Sequence, residues 1–549
     1  MASPSTAAPN GSAPASRWGV FANVAFTAIL IASAVSSVGI AMFDTSMSWL
    51  MTSLNPNPLM VSAVQVATMA PMFLLTVPAG ALTDVADPRR LLIAAQFCVV
   101  AVGAVFASFV TVHWATPPAL LATVFLLGAA GALAAPAWQT ITPMLVPKSE
   151  LDSAIAVSSA SYNISRALGP ALGGVAISVI SIMLPFWVYV ATNLILLGVL
   201  IWWRAPRKPP ETLPAERLIS AMSTGLRYAK NNRDLDATLI RAVAFFPFAS
   251  AYWALMPLIA RRQLHDGAEL YGLLMGLIGL GSIVGTLSLE RLKSRLGPDG
   301  SAALGTFGTI LALALFGASR SPEVAMIASF VAGASWIVAI TTMFVSAQVA
   351  LPDWVRGRGL AIFLTVYFGA MTAGSALWGE VANLKGVPFA LLAAAAGAAL
   401  GLGLTWRFKL ETGAAQDLAP SMHWKAPAFV QRLEDDQGPI LSVVEYRIDP
   451  QDAPEFLALM QEIGHERMRD GAYAWNIFGD PDHLGRFIET SLVHSLLELK
   501  YRSARETRAD ELTEEHLIRF LKEPQKASYY VASKRQHHSR RPRPQGRAA

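Results

Sequence analysis

GALTDVADPRR, Gly80 to Arg90, lies between two long apolar runs. Two acids, a proline and two arginines stand where the sequence on either side is almost uncharged. A helix needs about 20 mostly apolar residues to cross a bilayer core, and both flanking runs reach that length. The stretch therefore reads as a short aqueous turn between two crossings, with its arginines holding it on one side.

The rest of the chain fits this reading. The 549 residues are 53% hydrophobic and only 15% charged, with a mean hydropathy of +0.43. An ordinary soluble domain carries about 25% charge. Spanning-length apolar runs recur from Phe21 to Lys409, and charge becomes dense after about Ala419. Met1 to Ser16 is rich in Ala, Ser, Pro and Gly and lacks a basic start, which predicts a disordered tail and not a cleaved leader. The single cysteine, Cys98, excludes an intrachain disulfide. The net charge of +5 fits basic loops on one membrane face better than nucleic-acid binding.

Apolar length and breaker residues predict about twelve spans: 22–53, 59–82, 91–113, 118–141, 152–177, 182–203, 236–260, 269–290, 301–319, 323–348, 357–379 and 386–407. The long connector after the sixth span places Leu218, Met222, Leu226 and Ala229 at helical spacing, as in a helix lying on the membrane surface. With a cytoplasmic N-terminus, Arg89, Arg90, Lys148, Arg204, Arg207, Lys208, Arg227, Lys230, Arg291, Lys293, Arg295, Arg356, Arg358, Arg407 and Lys409 fall inside. Only Arg261, Arg262, Arg320 and Lys385 fall outside. This bias puts both termini in the cytoplasm. GTLSLERLKSRLG, Gly285 to Gly297, echoes the opening stretch after the eighth span, as expected of two related six-span halves.

GALTDVADPRR resembles the loop signature of the major facilitator superfamily. Gly80, Asp84, Arg89 and Arg90 match it; Asp87 stands where glycine is usual and Pro88 where arginine is usual. The resemblance implies a cytoplasmic gate in which Asp84 meets span eleven, and helix N-termini do attract carboxylates. Gly169, Pro170, Gly173 and Gly174 resemble the Gly-Pro-x-x-Gly-Gly signature of that superfamily's antiporters. Proline there bends a helix and glycine lets a neighbour approach. NPLMVSAVQVATMAPMFLLTVPAGALTD, NISRALGPALGG and VRGRGLAIFLTVYFGAMTAGSALWG are similar to the bacterial exporters known as transmembrane secretion effectors, the group containing the enterobactin exporter. Its implied cargo is a siderophore, drug or secondary metabolite.

Ionisable residues within spans are candidate sites. Asp44 lies about 15 Å from the outer end of span one, at 1.5 Å per residue. It is a candidate proton carrier or cation contact, unless span one ends early. Arg166 in span five pairs with Asp44, binds an anionic group of the cargo, or caps carbonyls freed by Pro170. Asn163 shares its helical face. Arg241 is expected to snorkel and Glu380 to sit at the interface. Gln65, Gln139 and Gln348 are candidate polar contacts in a cavity.

Residues from Gly438 to Ser533 change texture. PILSVVEYRI, AYAWNIFGD, GRFIETSLVHS and ASYYVAS read as strands, with helices after the first and third. Phe456, Leu459, Met460 and Ile463 form one stripe of the first helix. The order β-α-β-β-α-β is that of a ferredoxin-like unit. It resembles the dimeric α/β-barrel domains of the antibiotic-biosynthesis monooxygenase group. Trp475, Asn476, His465, His483 and His494 lack metal-ligand or triad spacing, so a binding or dimerisation module is preferred to a catalytic one. The basic tail KRQHHSRRPRPQGR is suited to anionic lipid.

The expected architecture is an all-α polytopic membrane protein of the major facilitator fold plus a small α+β domain. Its parts are tail 1–18, halves 19–203 and 236–410 with connector 204–235, linker 411–437, domain 438–533 and tail 534–549. No phosphate-binding loop of the G-x-x-x-x-G-K-[ST] type occurs, so a proton gradient is preferred to ATP or any cofactor. The expected function is proton-driven export across the bacterial inner membrane. The expected partners are a small-molecule substrate, membrane lipid and a second copy through the C-terminal domain, without nucleic acid. The alternative is a membrane-anchored enzyme or sensor.

Overall fold

The computed structural model describes residues 19–85, 87–204, 228, 230–352, 354–410, 421, 437–505 and 507–532. The expected amphipathic helix of the connector falls outside these residues. The chain divides into two compact units. The first holds the long apolar helices. The second holds the C-terminal domain together with two short segments, Ala221–Arg233 and Leu351–Gly357.

In the first unit, α1 (Val24–Leu54), α2 (Pro58–Val85), α3 (Pro88–Thr111), α4 (Pro117–Leu145), α5 (Leu151–Val175) and α6 (Leu184–Trp202) form one half. The other half begins with α7 (Arg233–Leu258). One continuous stretch, Ala268–Ala318, is 51 residues long. At 1.5 Å per residue it is more than twice the ~30 Å thickness of a bilayer core. It turns back at Gly297, whose φ of 67° suits a residue without Cβ, and Pro298 follows. Its arms are α8 (268–296) and α9 (298–318). Then come α10 (Pro322–Val349), α11 (Arg356–Lys385) and α12 (Val387–Leu404). Among the described residues, eleven helices meet the length and hydropathy needed to cross a membrane. Splitting the longest at Gly297 gives twelve crossings.

Prolines open α2, α4, α10 and α12 at positions where a helix has no N–H bond to lose. α7 is buried over 72% of its apolar window, while every other helix stays at 50% or less. α7 is therefore central, and the outer helices keep apolar sides such as Ile31, Phe97, Leu287 and Leu400 exposed for lipid.

The halves repeat their internal ties. Asn23 Nδ2, just before α1, donates to Leu145 O at the end of α4, at 2.5 Å. In the same place in the other half, the Thr238 and Ser346 hydroxyls join α7 to α10 at 3.0 Å. Arg89, at the start of α3, donates to Trp203 O (2.6 Å) and Ile201 O (2.8 Å) at the end of α6. Asp299, at the start of α9, accepts from Leu410 N beyond α12 at 3.0 Å. It also pairs with Arg241 of α7 at 2.9 Å. Arg241 does not snorkel as expected: it is 5% exposed and turned inward by this carboxylate. A buried arginine with an acid in reach loses less by pairing than by being stranded.

In the second unit, β1 (Ile440–Arg447), α13 (Ala453–Asp470), β2 (Ala474–Gly479), β3 (Arg486–Val493), α14 (Leu496–Arg505), α15 (Arg508–Ile518) and β4 (Lys526–Val531) follow in order. The sheet order is β2-β3-β1-β4, antiparallel throughout. This is the ferredoxin-like arrangement read from the sequence. Phe456, Met460 and Ile463 of the expected stripe are buried against Tyr446 and Phe487.

Candidate functional site

The two halves of the first unit touch at one end of the bundle and inward from it, as far as Ala167 against Gly279 and Phe73 against Gly369. α5 is the main link. Ser165 Oγ donates to Ala34 O of α1 at 3.1 Å. A Cβ on Gly169 would lie 2.4 Å from Ala41 Cβ, and one on Gly173 would lie 3.1 Å from Met42 Cα, so both glycines seat α1. Gly174 instead faces α8 of the other half: its Cβ would stand 2.6 Å from Ala268 O and 2.8 Å from Gly272 Cα. The Gly-Pro-x-x-Gly-Gly sequence thus lets one helix press on two neighbours, one in each half. Gly379 of α11 meets Ser62 of α2 just as closely at the same end. Trp49 of α1 stacks on Tyr271 of α8, with centroids 5.9 Å apart. These contacts lie on the face opposite the connector.

The interior between the halves carries charge. Asp44 and Arg166 are both exposed, although each lies well inside its helix. Their surface belongs to the space between the halves. Each lies in the other's electrostatic field, yet among the described residues no ion pair joins them within 4 Å. Asp44 also acts on the hydroxyls of Tyr189 and Tyr271. Arg166 crosses to the other half, where its guanidinium stands 5.5 Å from the Trp253 ring. Tyr252 and Tyr367 lie within reach of its charge. Trp253 meets Trp336 at 5.6 Å, and Phe246 meets Tyr367 at 4.7 Å. One half thus contributes an acid and a base, and the other an aromatic wall. Asn163 does not join them, because its Nδ2 donates to Ser159 O in its own helix.

A cavity of about 320 Å³ opens among α1, α4 and α5. Ser33, Ser37, Ser158 and Ser161 line it, with Gln139 and Tyr162. Ser33 Oγ is buried there without a hydrogen-bond partner. Of the three glutamines read as polar contacts, Gln139 is the one that lines this cavity.

In the opening stretch, the residue that departs from the family pattern has a local role. Asp87 caps α3, its carboxylate accepting from Arg89 N (2.9 Å) and Arg90 N (3.2 Å). Arg90 is exposed. Gly80 and Asp84 lie on α2, but their side chains fall outside the described residues.

The histidines of the C-terminal domain do not converge. His483 is exposed beside Asp480, His494 stacks on Tyr473, and His465 is exposed. Trp475 and Asn476 point to opposite sides of β2. Trp475 Nε1 donates to the buried Glu489 at 2.8 Å, and Tyr446 does so at 2.6 Å. No group of three or more metal-binding side chains occurs among the described residues. Glu489 escaped the sequence reading because nothing sets apart an acid in an alternating strand until the fold buries it.

Two six-helix halves, sealed at one end around a charged and aromatic interior, define a membrane transporter. The chain belongs to the transmembrane secretion effector family, within the major facilitator superfamily; the family pattern matches residues 15–537. It is 26% identical over 350 residues to a staphyloferrin A transporter of Staphylococcus aureus, covering 62% of this chain and 85% of that one. It is 23% identical over 365 residues to an enterobactin exporter of Shigella boydii, covering 65% and 84%. Among solved structures, a mutant of the nucleoside transporter NupG aligns over 70% of this chain and 99% of its own, with a TM-score of 0.61 at 12% identity. A bacterial homologue of the lysosomal transporter Spinster aligns over 70% and 96%, at 0.54 and 11%. These structural likenesses concern the fold.

Proposed function

We propose that this transporter exports an anionic, amphipathic small molecule of the siderophore class across the bacterial inner membrane in exchange for protons. Asp44 and Arg166, on α1 and α5 of the same half, both exposed and without an ion pair among the described residues, carry the reading. An arginine beside tryptophan and tyrosine rings suits a carboxylate or phenolate attached to an apolar body. A carboxylate near that arginine competes with such an anion. Protonation of Asp44 removes the competition, and its deprotonation on the other side restores it. The names of a staphyloferrin A transporter and an enterobactin exporter among its relatives support the cargo class. The lysine and arginine bias supports a cytoplasmic connector face and cytoplasmic termini.

The domain's sheet supports a second copy as partner. Its face away from α13 carries Leu441, Leu492, Val443 and Ile488, with Phe478 and Tyr530 exposed. Phe478→Asp is expected to turn a dimer into a monomer by light scattering in detergent.

The main test is export into everted vesicles at controlled pH. Asp44→Asn is expected to lose the dependence of export on a pH gradient. Arg166→Ala is expected to raise the KM for an anionic cargo at least tenfold, leaving a neutral one unaffected. Gradient-driven export that survives in Asp44→Asn removes Asp44 from the mechanism.

A further inference from the structure

Arg261 breaks the charge rule of this chain by lying on the face opposite the connector. It sits at the end of α7, where the helix widens into a π turn, Ile259–Gln263. Such turns often mark functional positions. Gln263 anchors this turn within its own half, donating to Phe316 O and Ser319 O of the α9 end, both at 2.6 Å. Arg261 reaches the other way. Its Nη1 donates to Thr52 Oγ1 at 2.8 Å and Ser53 Oγ at 2.6 Å, both in the last turn of α1. The guanidinium lies 5.4 Å from the Trp49 ring, and Trp49 in turn stacks on Tyr271. The contact therefore interleaves the halves: Arg261 from one, Thr52, Ser53 and Trp49 from the other, then Tyr271 from the first again.

The last turn of α1 has no basic residue of its own. Helix C-termini attract cations, and Arg261 supplies one from across the interface. Its neighbour Arg262 is exposed. The acceptors are neutral hydroxyls, and among the described residues no carboxylate pairs with Arg261. That choice suits a contact that must break in each cycle. Separation returns the arginine to water and leaves no buried acid without its counter-ion, the penalty that makes charged pairs slow to part.

We propose that Arg261 is a positioning residue for transport: the latch that holds this face closed, with Thr52, Ser53 and Trp49 as its keeper. The inference rests on the alternation of access within the proposed function, and not on the cargo or the proton. Opening of this face parts the ends of α1 and α7, so it must break both hydrogen bonds and draw Arg261 off the indole. Without the latch, the equilibrium moves toward the state open on this face.

The test uses the full chain in lipid nanodiscs without cargo. Spin labels replace Trp114 and Arg320, exposed on loops of this face in different halves, in a Cys98→Ser background. Arg261→Ala is expected to raise the population at long inter-label distance about tenfold, since hydrogen bonds from a charged donor are among the stronger ones. Arg261→Lys is expected to restore part of the closed population. The double change Thr52→Val with Ser53→Ala is expected to reproduce the shift, with no further increase when Arg261→Ala is added, as required for members of one interaction. An unchanged distance distribution in both Arg261→Ala and the Thr52/Ser53 variant overturns the proposal. So does full additivity of the two. A loss of export in Arg166→Ala with normal latch behaviour would touch the cargo site alone, so the two readings fail separately.

Discussion

Glu466 is a titrating group that the sequence did not single out. It lies on α13, three residues before Arg469 and four before Asp470. Burial, then the Asp510 carboxylate, pushes it up to about 8 from an ordinary 4.5, with Arg469 and Arg467 pulling the other way and Asp470 adding to the rise. Burial opposes ionisation of Asp510 too, but Arg469 at 2.7 Å holds it below its ordinary value. The folded state therefore binds more protons at Glu466 than the unfolded chain between pH 4.5 and 8. Its contribution is greatest below the unfolded value and declines as pH rises through that window. Glu466→Gln is expected to stabilise the domain by roughly 2 kcal/mol near pH 8, allowing for partial screening, and to give no gain at pH 4. Thermal unfolding of the full chain at both pH values checks this; an equal gain at both would point to packing instead of charge. The same scale shows what was legible beforehand. Asp44 and Arg166 stand out because charge is rare in apolar runs. That they face the interior, without an ion pair among the described residues, depends on where α1 and α5 are placed, which no spacing encodes.

At the scale of elements, α5 makes the sharpest demand. The nearest atoms to a Cβ on Gly174 are backbone, Ala268 O and Gly272 Cα, and a backbone cannot swing aside as a side chain can. Gly174→Leu is expected to force α5 from α8, to lower export more than tenfold with expression retained, and to lengthen the distances between labels on the face opposite the connector. Gly198→Leu is the control, since no atom lies within 4 Å of its Cβ position. Equal loss in both variants would mean general intolerance of bulk. The glycines of this motif were readable as a packing seam, but their division between α1 and α8 was not, because it depends on the other half. The reading also ended span eight at residue 290, where charges begin. The helix runs on to 296, since arginine, lysine and leucine form helices well in water and Gly297 ends it. Composition located the edge of the apolar run, and a positive φ decides the edge of the helix.

At the scale of the molecule, the C-terminal domain raises the question of what its unit contains besides itself. Two segments distant in sequence belong to it, Ala221–Arg233 and Leu351–Gly357. Tyr228 and Trp354 from these segments meet edge to face at 5.5 Å. Arg469, at the end of α13, lies 5.7 Å from the Tyr228 ring. Arg505, at the end of α14, lies 4.7 Å from Trp354 and is itself 5% exposed. Its Nη1 donates to Asp470 O at 2.8 Å and Glu498 Oε1 at 2.7 Å. Desolvated cation–aromatic contacts of this kind contribute about 2 kcal/mol each. Nothing in the order of residues announced the partnership, because Tyr228 and Trp354 are ordinary aromatics of the connecting segments until a folded domain presents arginines to them. A chain ending at Thr412 keeps all twelve crossings but leaves both rings without these arginines. Such a chain is expected to retain export, which separates the transporter from an enzyme or sensor anchored by its helices. In hydrogen exchange it is expected to lose protection at the amides of residues 230–233 and 354–357. Arg505→Ala in the full chain is expected to lose protection at the second segment first, because Trp354 is the ring it covers. Unchanged exchange at both segments in the truncated chain would mean that they hold their structure without the domain.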